Sequence, residues 1–246
     1  MKPLVSITTA TYNSEKTLAR TIESVLNQTY APLEYLIVDG LSKDRTISIA
    51  RDYEERFKKR GISYTIISEA DKGMYDAINK GIRRANGVLI GNINSDDWYE
   101  PDAVERIVEK YLETQFDFLY GDLNIVLAGG RRKIKRAKKS TYMTSRHWNH
   151  PTQFATKELY LREPYKLESM YDDFDLFLRV TKKGYYIEIL NEVLANFTTD
   201  GMSHRRSFYE AVERGKARYR IYLNNGFSRW YLIECFLTEM MKFVLG

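Results

Sequence analysis

Two carboxylates stand side by side at Asp96-Asp97. Adjacent anions repel each other unless a positive charge lies beside them. A hard divalent cation that also holds phosphate oxygens meets that need. The pair therefore points to Mg2+ or Mn2+ on a diphosphate, with Asp97 on the metal and Asp96 nearer a ribose or sugar hydroxyl. The alternative is an Asp96 that caps the next turn and an Asp97 in solvent. A second acidic cluster, Tyr171-Asp172-Asp173-Phe174-Asp175, opens a helical run that carries Arg179. A carboxylate at a helix mouth is stabilised by the dipole, but three within four residues exceed what a cap needs. One of them is a candidate general base, taking a proton from an acceptor hydroxyl. The third site is Asp39. An ionised carboxylate is an acceptor only, which suits the imide N–H of a uracil-type ring. Tyr12 could stack on that base, and Thr9 and Thr11, on either side of Ala10, offer hydroxyls.

The elements that position these residues alternate in type. Leu4 to Thr8, Leu33 to Val38, Ile62 to Ile67 and Gly87 to Ile93 are apolar, β-branched runs and read as strands. Helical spacing follows three of them: Leu18, Ile22, Val25 and Leu26 behind a Ser14 N-cap; Ile47, Ala50 and Tyr53 behind Asp44-Arg45-Thr46; Met74, Ala77, Ile78 and Ile82 behind Lys72-Gly73. Repeated strand–helix alternation predicts a parallel sheet with right-handed crossovers. Ligands in such sheets sit beyond the strand C-termini. Residues Thr9 to Asn13, Asp39, the Glu69 to Gly73 loop and Asp96-Asp97 all fall there, so they should converge on one crevice. No GxGxxG follows the first strand and no GxxxxGK[ST] occurs, which removes a Rossmann dehydrogenase and a P-loop enzyme.

Beyond Pro101 a helix is expected to about Thr114, an extended stretch over Phe116 to Leu127, and a Gly129-Gly130 turn. A short helix near Lys157 to Leu161, a helix from Asp173 to Lys182, strands over Tyr185 to Leu190 and Val193 to Thr198, a long helix from Ser203 to Leu223 and a closing helix from Trp230 to Leu245 complete the chain. The division expected is a catalytic unit over 1–200, with a nucleotide-binding half (1–100) and an acceptor-side half (101–200), and a helical extension over 201–246.

At 43% hydrophobic and 29% charged residues, the 246-residue chain has the composition of a folded globular protein rather than a disordered one. The one cysteine, Cys235, excludes an internal disulfide and a cysteine-based zinc cluster, and fits a reducing, cytoplasmic compartment. No signal peptide and no membrane-spanning run is read from the sequence. The basic character is local: Arg131 to Lys139 holds seven cations, and removing those seven from the net charge of +5 leaves −2. Such a run suits a phosphate-rich partner or an anionic bilayer, or else a solvated hairpin. Nucleic acid is disfavoured because no aromatic platforms interleave with it. Trp230, Ile233, Leu237, Met240, Met241 and Val244 fit a bilayer interface, a core, or a dimer contact.

Taken together, Thr9-Ala-Thr-Tyr-Asn13, Val38-Asp39-Gly40 with Ser42, Asp44 and Thr46, Asp71-Lys-Gly-Met-Tyr-Asp-Ala-Ile-Asn-Lys-Gly81, Asn94-Ser-Asp-Asp97 and Asp173-Phe-Asp-Leu-Phe-Leu-Arg179 resemble glycosyltransferase family 2 over about residues 3 to 200. The resemblance implies an α/β GT-A fold with a mostly parallel central sheet and a C-terminal helical appendage. It implies a nucleotide-sugar donor, most often UDP-linked, Mg2+ or Mn2+, and inversion at the anomeric carbon. The acceptor would be a glycan or a lipid-linked oligosaccharide. By that resemblance Asp97 holds the metal, and Thr9, Ala10, Thr11, Tyr12, Asp39, Lys72, Gly73 and Asp96 bind the nucleotide. Asp173 is the base, with Asp175 as a competitor. Asn94, His150, Asp172, Asp175 and Arg179 would contact donor or acceptor. His150, in a His-Pro-Thr-Gln segment similar to the family's His-Gln segment, either touches donor phosphate or is an ordinary structural histidine. Phe197 to Ser203 resembles the ending of bacterial polysaccharide-assembly members. The rival reading is a catalytically silent nucleotide-sugar-binding or scaffold protein.

Overall fold

The computed structural model describes residues 2–127, 129–198 and 207–245, except the side chains of 242, 244 and 245. The first strands are β1 (Val5–Thr11), β2 (Leu33–Asp39), β3 (Ser63–Ser68) and β4 (Leu89–Asn92). They pair in parallel in the order β3-β2-β1-β4. Every residue of β2 is buried, as expected of a strand covered on both faces. The crossovers are α1 (Leu18–Leu26), then α2 (Thr46–Arg51) and α3 (Glu54–Lys59), then α4 (Met74–Arg84).

The second half continues the same nine-stranded sheet. Its elements are β5 (Trp98–Tyr99), α5 (Ala103–Thr114), β6 (Phe118–Val126), β7 (Arg132–Lys135), β8 (Phe154–Thr156), α6 (Lys157–Arg162), α7 (Asp172–Lys182) and β9 (Ile187–Thr198). The full order is β3-β2-β1-β4-β8-β6-β9-β5, with β7 hairpinned on β6. Antiparallel pairing enters here, at β4–β8, β6–β8, β6–β7 and β5–β9. Helices α8 (Phe208–Asn224) and α9 (Tyr231–Leu245) close the chain.

Two apolar clusters lie on the two faces of the sheet. One joins Val5 and Ile7 of β1 to Leu18 and Ile22 of α1, Phe57 of α3 and Val104 of α5. The other joins Ile78 of α4, Leu176 and Phe177 of α7 and Tyr222, Tyr231 and Cys235 of the last two helices. The C-terminal helices therefore share a core with the sheet.

Several details differ from the sequence expectations. Ser14 does not cap α1. Its carbonyl accepts from the N–H groups of Thr17 and Leu18, so a turn precedes the helix, and its hydroxyl lies 2.8 Å from that of Ser95. The second crossover breaks into two short helices. The two strands expected over 185–198 are one, β9, whose pairing with β6 shifts register around Asp122. The helix expected from Ser203 is described from Phe208; Thr199 to Ser203 of the expected ending and the 200/201 boundary lie outside the described residues.

Candidate active site

Strand alternation decides where the first cluster points. Thr9 and Thr11 share a face with Val5 and Ile7, because side chains alternate along a strand. Thr9 is fully buried and accepts a hydrogen bond from the Tyr35 hydroxyl at 3.0 Å. Thr11 is buried too, and donates to Asp39 at 3.2 Å. These hydroxyls, expected from the sequence to offer themselves to a nucleotide, make their hydrogen bonds inside the sheet. Ala10 is half-buried against the other core cluster. Tyr12, just past β1, is 64% exposed and is the one ring of this loop available to stack on a base.

Asp39 ends β2 beyond the sheet edge. Its carboxylate accepts from Thr11, from Ser68 at 2.8 Å, and from both the backbone N–H (3.0 Å) and the hydroxyl of Ser42. This holds the anion in place before any ligand arrives. Gly40 follows because space is short: a Cβ there would lie 2.4 Å from Asp71 Oδ2. Asp71 in turn accepts from the Gly73 N–H at 2.8 Å, and Gly73 enters α4 at φ 111°, a left-handed conformation that glycine takes without strain. The Lys72 N–H is tied to Asp76 at 3.0 Å.

Asp96 and Asp97 follow β4 as expected. Asp97 is fully buried, and its Oδ1 makes no hydrogen bond among the described residues. Its Oδ2 accepts from the Asn94 amide at 3.3 Å. Burial pushes the Asp97 carboxyl well above the usual range, and the charge of Asp96 adds to it, against weaker pulls from the Thr198 backbone, Asn94 and Arg20. A buried carboxylate with an orphaned oxygen beside a second carboxylate is a donor set that fits a hard divalent cation. Among the described residues no three His, Cys, Asp or Glu side chains form a closed cage.

Arg20 of α1 braces this loop, and nothing in its helical position announced it. Its guanidinium lies 3.9 Å from the centre of the Trp98 ring and donates to the Asp96 carbonyl at 2.7 Å.

Asp173 heads α7 with its side chain 19% exposed. Its Oδ1 accepts from the Phe174 N–H at 2.7 Å, and its Oδ2 lies 3.7 Å from Nδ1 of His150. His150 Nε2 lies 3.1 Å from the Asn94 amide nitrogen. That nitrogen only donates, so Nε2 accepts and the ring proton sits on Nδ1, facing Asp173. The ring keeps 37% exposure to the cleft, yet burial still lowers its pKa below the usual value, opposed by the charge of Asp173. Asn94, donating to both Asp97 and His150, thereby connects the Asp97 carboxylate to the imidazole that faces Asp173. Tyr75 of α4 adds a hydroxyl that donates to the Met170 carbonyl at 3.0 Å, in the loop before α7, and burial followed by the Asp173 charge raises its pKa.

Asp172, Asp175 and Arg179, expected from the sequence to contact donor or acceptor, make their contacts within the protein. Asp172 is buried and accepts from the Glu168 N–H at 2.9 Å. Asp175 is buried, bonded to Arg179 at 2.7 Å, Lys166 at 3.2 Å and Asn225 at 2.8 Å. Burial pushes its pKa up, but these partners outweigh it and hold the carboxyl low. Arg179 also pairs with Glu163 at 2.6 Å and the Pro164 carbonyl at 2.7 Å. This network anchors α7 and leaves Asp173 as the acidic side chain of the cluster that meets the cleft.

Residues 6–168 match the model of Glycosyl transferase family 2. The chain belongs to glycosyltransferase family 2. Among its family relatives, a chondroitin synthase of Escherichia coli is 30% identical over 209 residues, 81% of this chain and 29% of that protein. An uncharacterised glycosyltransferase, MJ1057 of Methanocaldococcus jannaschii, is 27% identical over 228 residues, 87% of this chain and 76% of that one. The chain thus spans less than a third of the chondroitin synthase. The mannosyltransferase PcManGT of Pyrobaculum calidifontis, solved with GDP-Man and Mn2+, superposes with a TM-score of 0.71 at 15% identity, covering 100% of this chain and 75% of that one. Residues 1–349 of TarS of S. aureus, solved with UDP-GlcNAc, give 0.68 at 18%, covering 97% and 73%. The family member described here has the GT-A fold, a curled α/β sheet flanked by helices with further helices at its C-terminal end.

Proposed function

We propose that this glycosyltransferase family 2 chain moves a sugar from a UDP-linked donor to a hydroxyl of a glycan or lipid-linked acceptor, with inversion, in bacterial polysaccharide assembly at the inner face of the membrane. The names of its relatives support the pathway: chondroitin and hyaluronan synthases, and a teichuronic acid glycosyltransferase. The UDP-GlcNAc complex of TarS supports the nucleotide. The observation that carries the reading is the buried, half-unpartnered Asp97 joined through Asn94 and His150 to Asp173.

In this mechanism Asp173 takes the proton of the acceptor hydroxyl as its oxygen attacks C1 of the donor sugar. The C1–O bond to the diphosphate breaks, and the nucleoside diphosphate leaves with the bonding pair. His150 presents Nδ1–H to the Asp173 carboxylate and keeps it oriented. Tyr12 stacks on the base and Asp39 accepts its imide N–H, exchanging one of its serine bonds. Asp97 and Asp96 would hold Mg2+ or Mn2+, which when bound neutralises charge on the leaving diphosphate. Alignment of both substrates contributes as much as base strength.

The test is a donor screen that reads released nucleoside diphosphate with and without EDTA. Release from a UDP-sugar that EDTA abolishes is expected. No turnover of any donor, with binding retained, would favour the silent binding protein.

A further inference from the structure

Helix α9 carries apolar side chains on both sides. Its inward side packs Tyr231 and Cys235 into the core and also buries polar groups. Thr238 and Glu239 are buried, Glu239 is bonded to Arg218 at 3.0 Å and Arg214 at 3.0 Å, and Arg218, itself 1% exposed, lies 3.6 Å from Glu234. Its outward face is apolar: Ile233, Phe236 and Leu237 are each more than half exposed, with Met241 beyond them and Trp230, 78% exposed, ahead of the helix. A surface helix normally keeps its outer face polar, and a contiguous apolar patch of this kind marks a contact surface.

The inward side of α9 packs against residues 142–146, the segment that follows the basic run. Tyr142 stacks on Tyr231 at 4.9 Å, the Met143 N–H donates to the Tyr231 hydroxyl at 3.0 Å, and Arg146 reaches Thr238 at 3.2 Å. The same segment takes the Lys135 ammonium on the Ser145 and Trp148 carbonyls, and the Lys138 N–H on His147. An apolar cavity of about 220 Å³ lies beside it, lined by Tyr120, Met143, Phe177 and Ile189 together with Lys138 and Lys139. Among the described residues no helix is long and apolar enough to cross a membrane.

We propose that the outer face of α9 and the Arg131–Lys139 segment together dock on an anionic lipid bilayer, the helix lying in the interface plane and the exposed Arg131, Arg132, Lys133, Lys138 and Lys139 meeting headgroups, while Lys135 and Arg136 stay bound within the protein. An apolar face flanked by lysine and arginine is the pattern of interfacial helices, and a neutral protein partner would have no use for the cations. The inference goes beyond the transfer reaction and stands or falls separately from it.

Flotation of the full chain with phosphatidylglycerol-containing vesicles tests it, against pure phosphatidylcholine vesicles and against high salt. Binding is expected on the anionic vesicles, weakened by salt. The double variant Ile233→Asp, Leu237→Asp should lose about tenfold of it, with an unchanged melting temperature and unchanged donor turnover in lipid-free buffer. Phe236→Ser on the same face serves if that variant does not fold, and Arg132→Glu with Lys133→Glu should weaken binding and flatten its salt dependence. Wild-type protein that does not float, or α9 variants that float equally well, would overturn the proposal. So would a lipid-free dimer that the α9 substitutions split while flotation is absent, which would give the face to a second copy of the chain.

Discussion

The Asn94 side-chain amide lies 3.1 Å from His150 Nε2. The same nitrogen lies 3.3 Å from Asp97 Oδ2, and the opposite side of the imidazole faces Asp173 at 3.7 Å. Two acidic residues 76 positions apart in sequence are thus joined through two side chains, with a defined tautomer between them.

Partial burial lowers the His150 pKa, against the charge of Asp173. With its folded pKa below the ordinary 6.5, the unfolded chain binds more protons at acid pH. His150 therefore contributes a stability loss as pH falls below about 6.5. NMR titration should give a His150 midpoint below that of an exposed histidine, and His150→Gln should remove that part of the acid dependence. A midpoint above 6.5 would contradict the neutral Nδ1–H form.

Asp97 is expected to act against folding until a cation arrives. Asp97→Asn should match or exceed the wild type in metal-free unfolding free energy, by up to about 1–3 kcal/mol, because it removes a desolvated carboxyl with an orphaned oxygen. Adding Mn2+ with UDP should raise the wild-type melting temperature and leave Asp97→Asn unmoved. An Asp97→Asn protein whose melting temperature rises as much as the wild type's on adding Mn2+ with UDP would refute the metal assignment.

The strand and helix alternation of the first hundred residues was legible because each parallel strand is rich in apolar and β-branched residues and each crossover carries helical spacing. The strand ends placed Asp39 and Asp96-Asp97 correctly for the same reason. β1 runs on to Thr11, past the strand end expected at Thr8, and alternation turns the Thr9 and Thr11 hydroxyls inward. Asp175 and Arg179 looked like chemistry because acidic residues at a helix mouth carry no sign of the partners that Glu163, Lys166 and Asn225 supply from elsewhere. Arg20 had no signal at all; only the fold brings it onto Trp98. The role of Asn94 lay within a recognised motif, but its link to His150 needed the tertiary contact.

The Arg179 network should behave as structure. Arg179→Met leaves Glu163 and Asp175, both buried, short of a partner and is expected to cost about 3–5 kcal/mol in denaturant unfolding. Its effect on the KM for donor should be small at temperatures where it stays folded. Wild-type stability with a large rise in KM would return Arg179 to the substrate.

Cys235 is buried between α8 and α9, and burial pushes its thiol up to about 12. The folded state therefore holds the proton more tightly than the unfolded chain, and this contribution to stability is lost as pH rises from about 9 towards 12. At pH 8 a disulfide reagent should label Cys235 only as fast as the C-terminal helices open, and urea should make labelling immediate. Rapid labelling of the native chain would contradict the packing of α9.

The most direct test is the turnover of Asp173→Asn beside wild type, with the donor identified by released nucleoside diphosphate. The neutral amide keeps the size of the side chain and cannot take a proton. A loss in kcat of about a hundredfold or more, with nucleoside diphosphate affinity and melting temperature unchanged, is predicted. Turnover close to wild type in a folded Asp173→Asn protein would contradict the account.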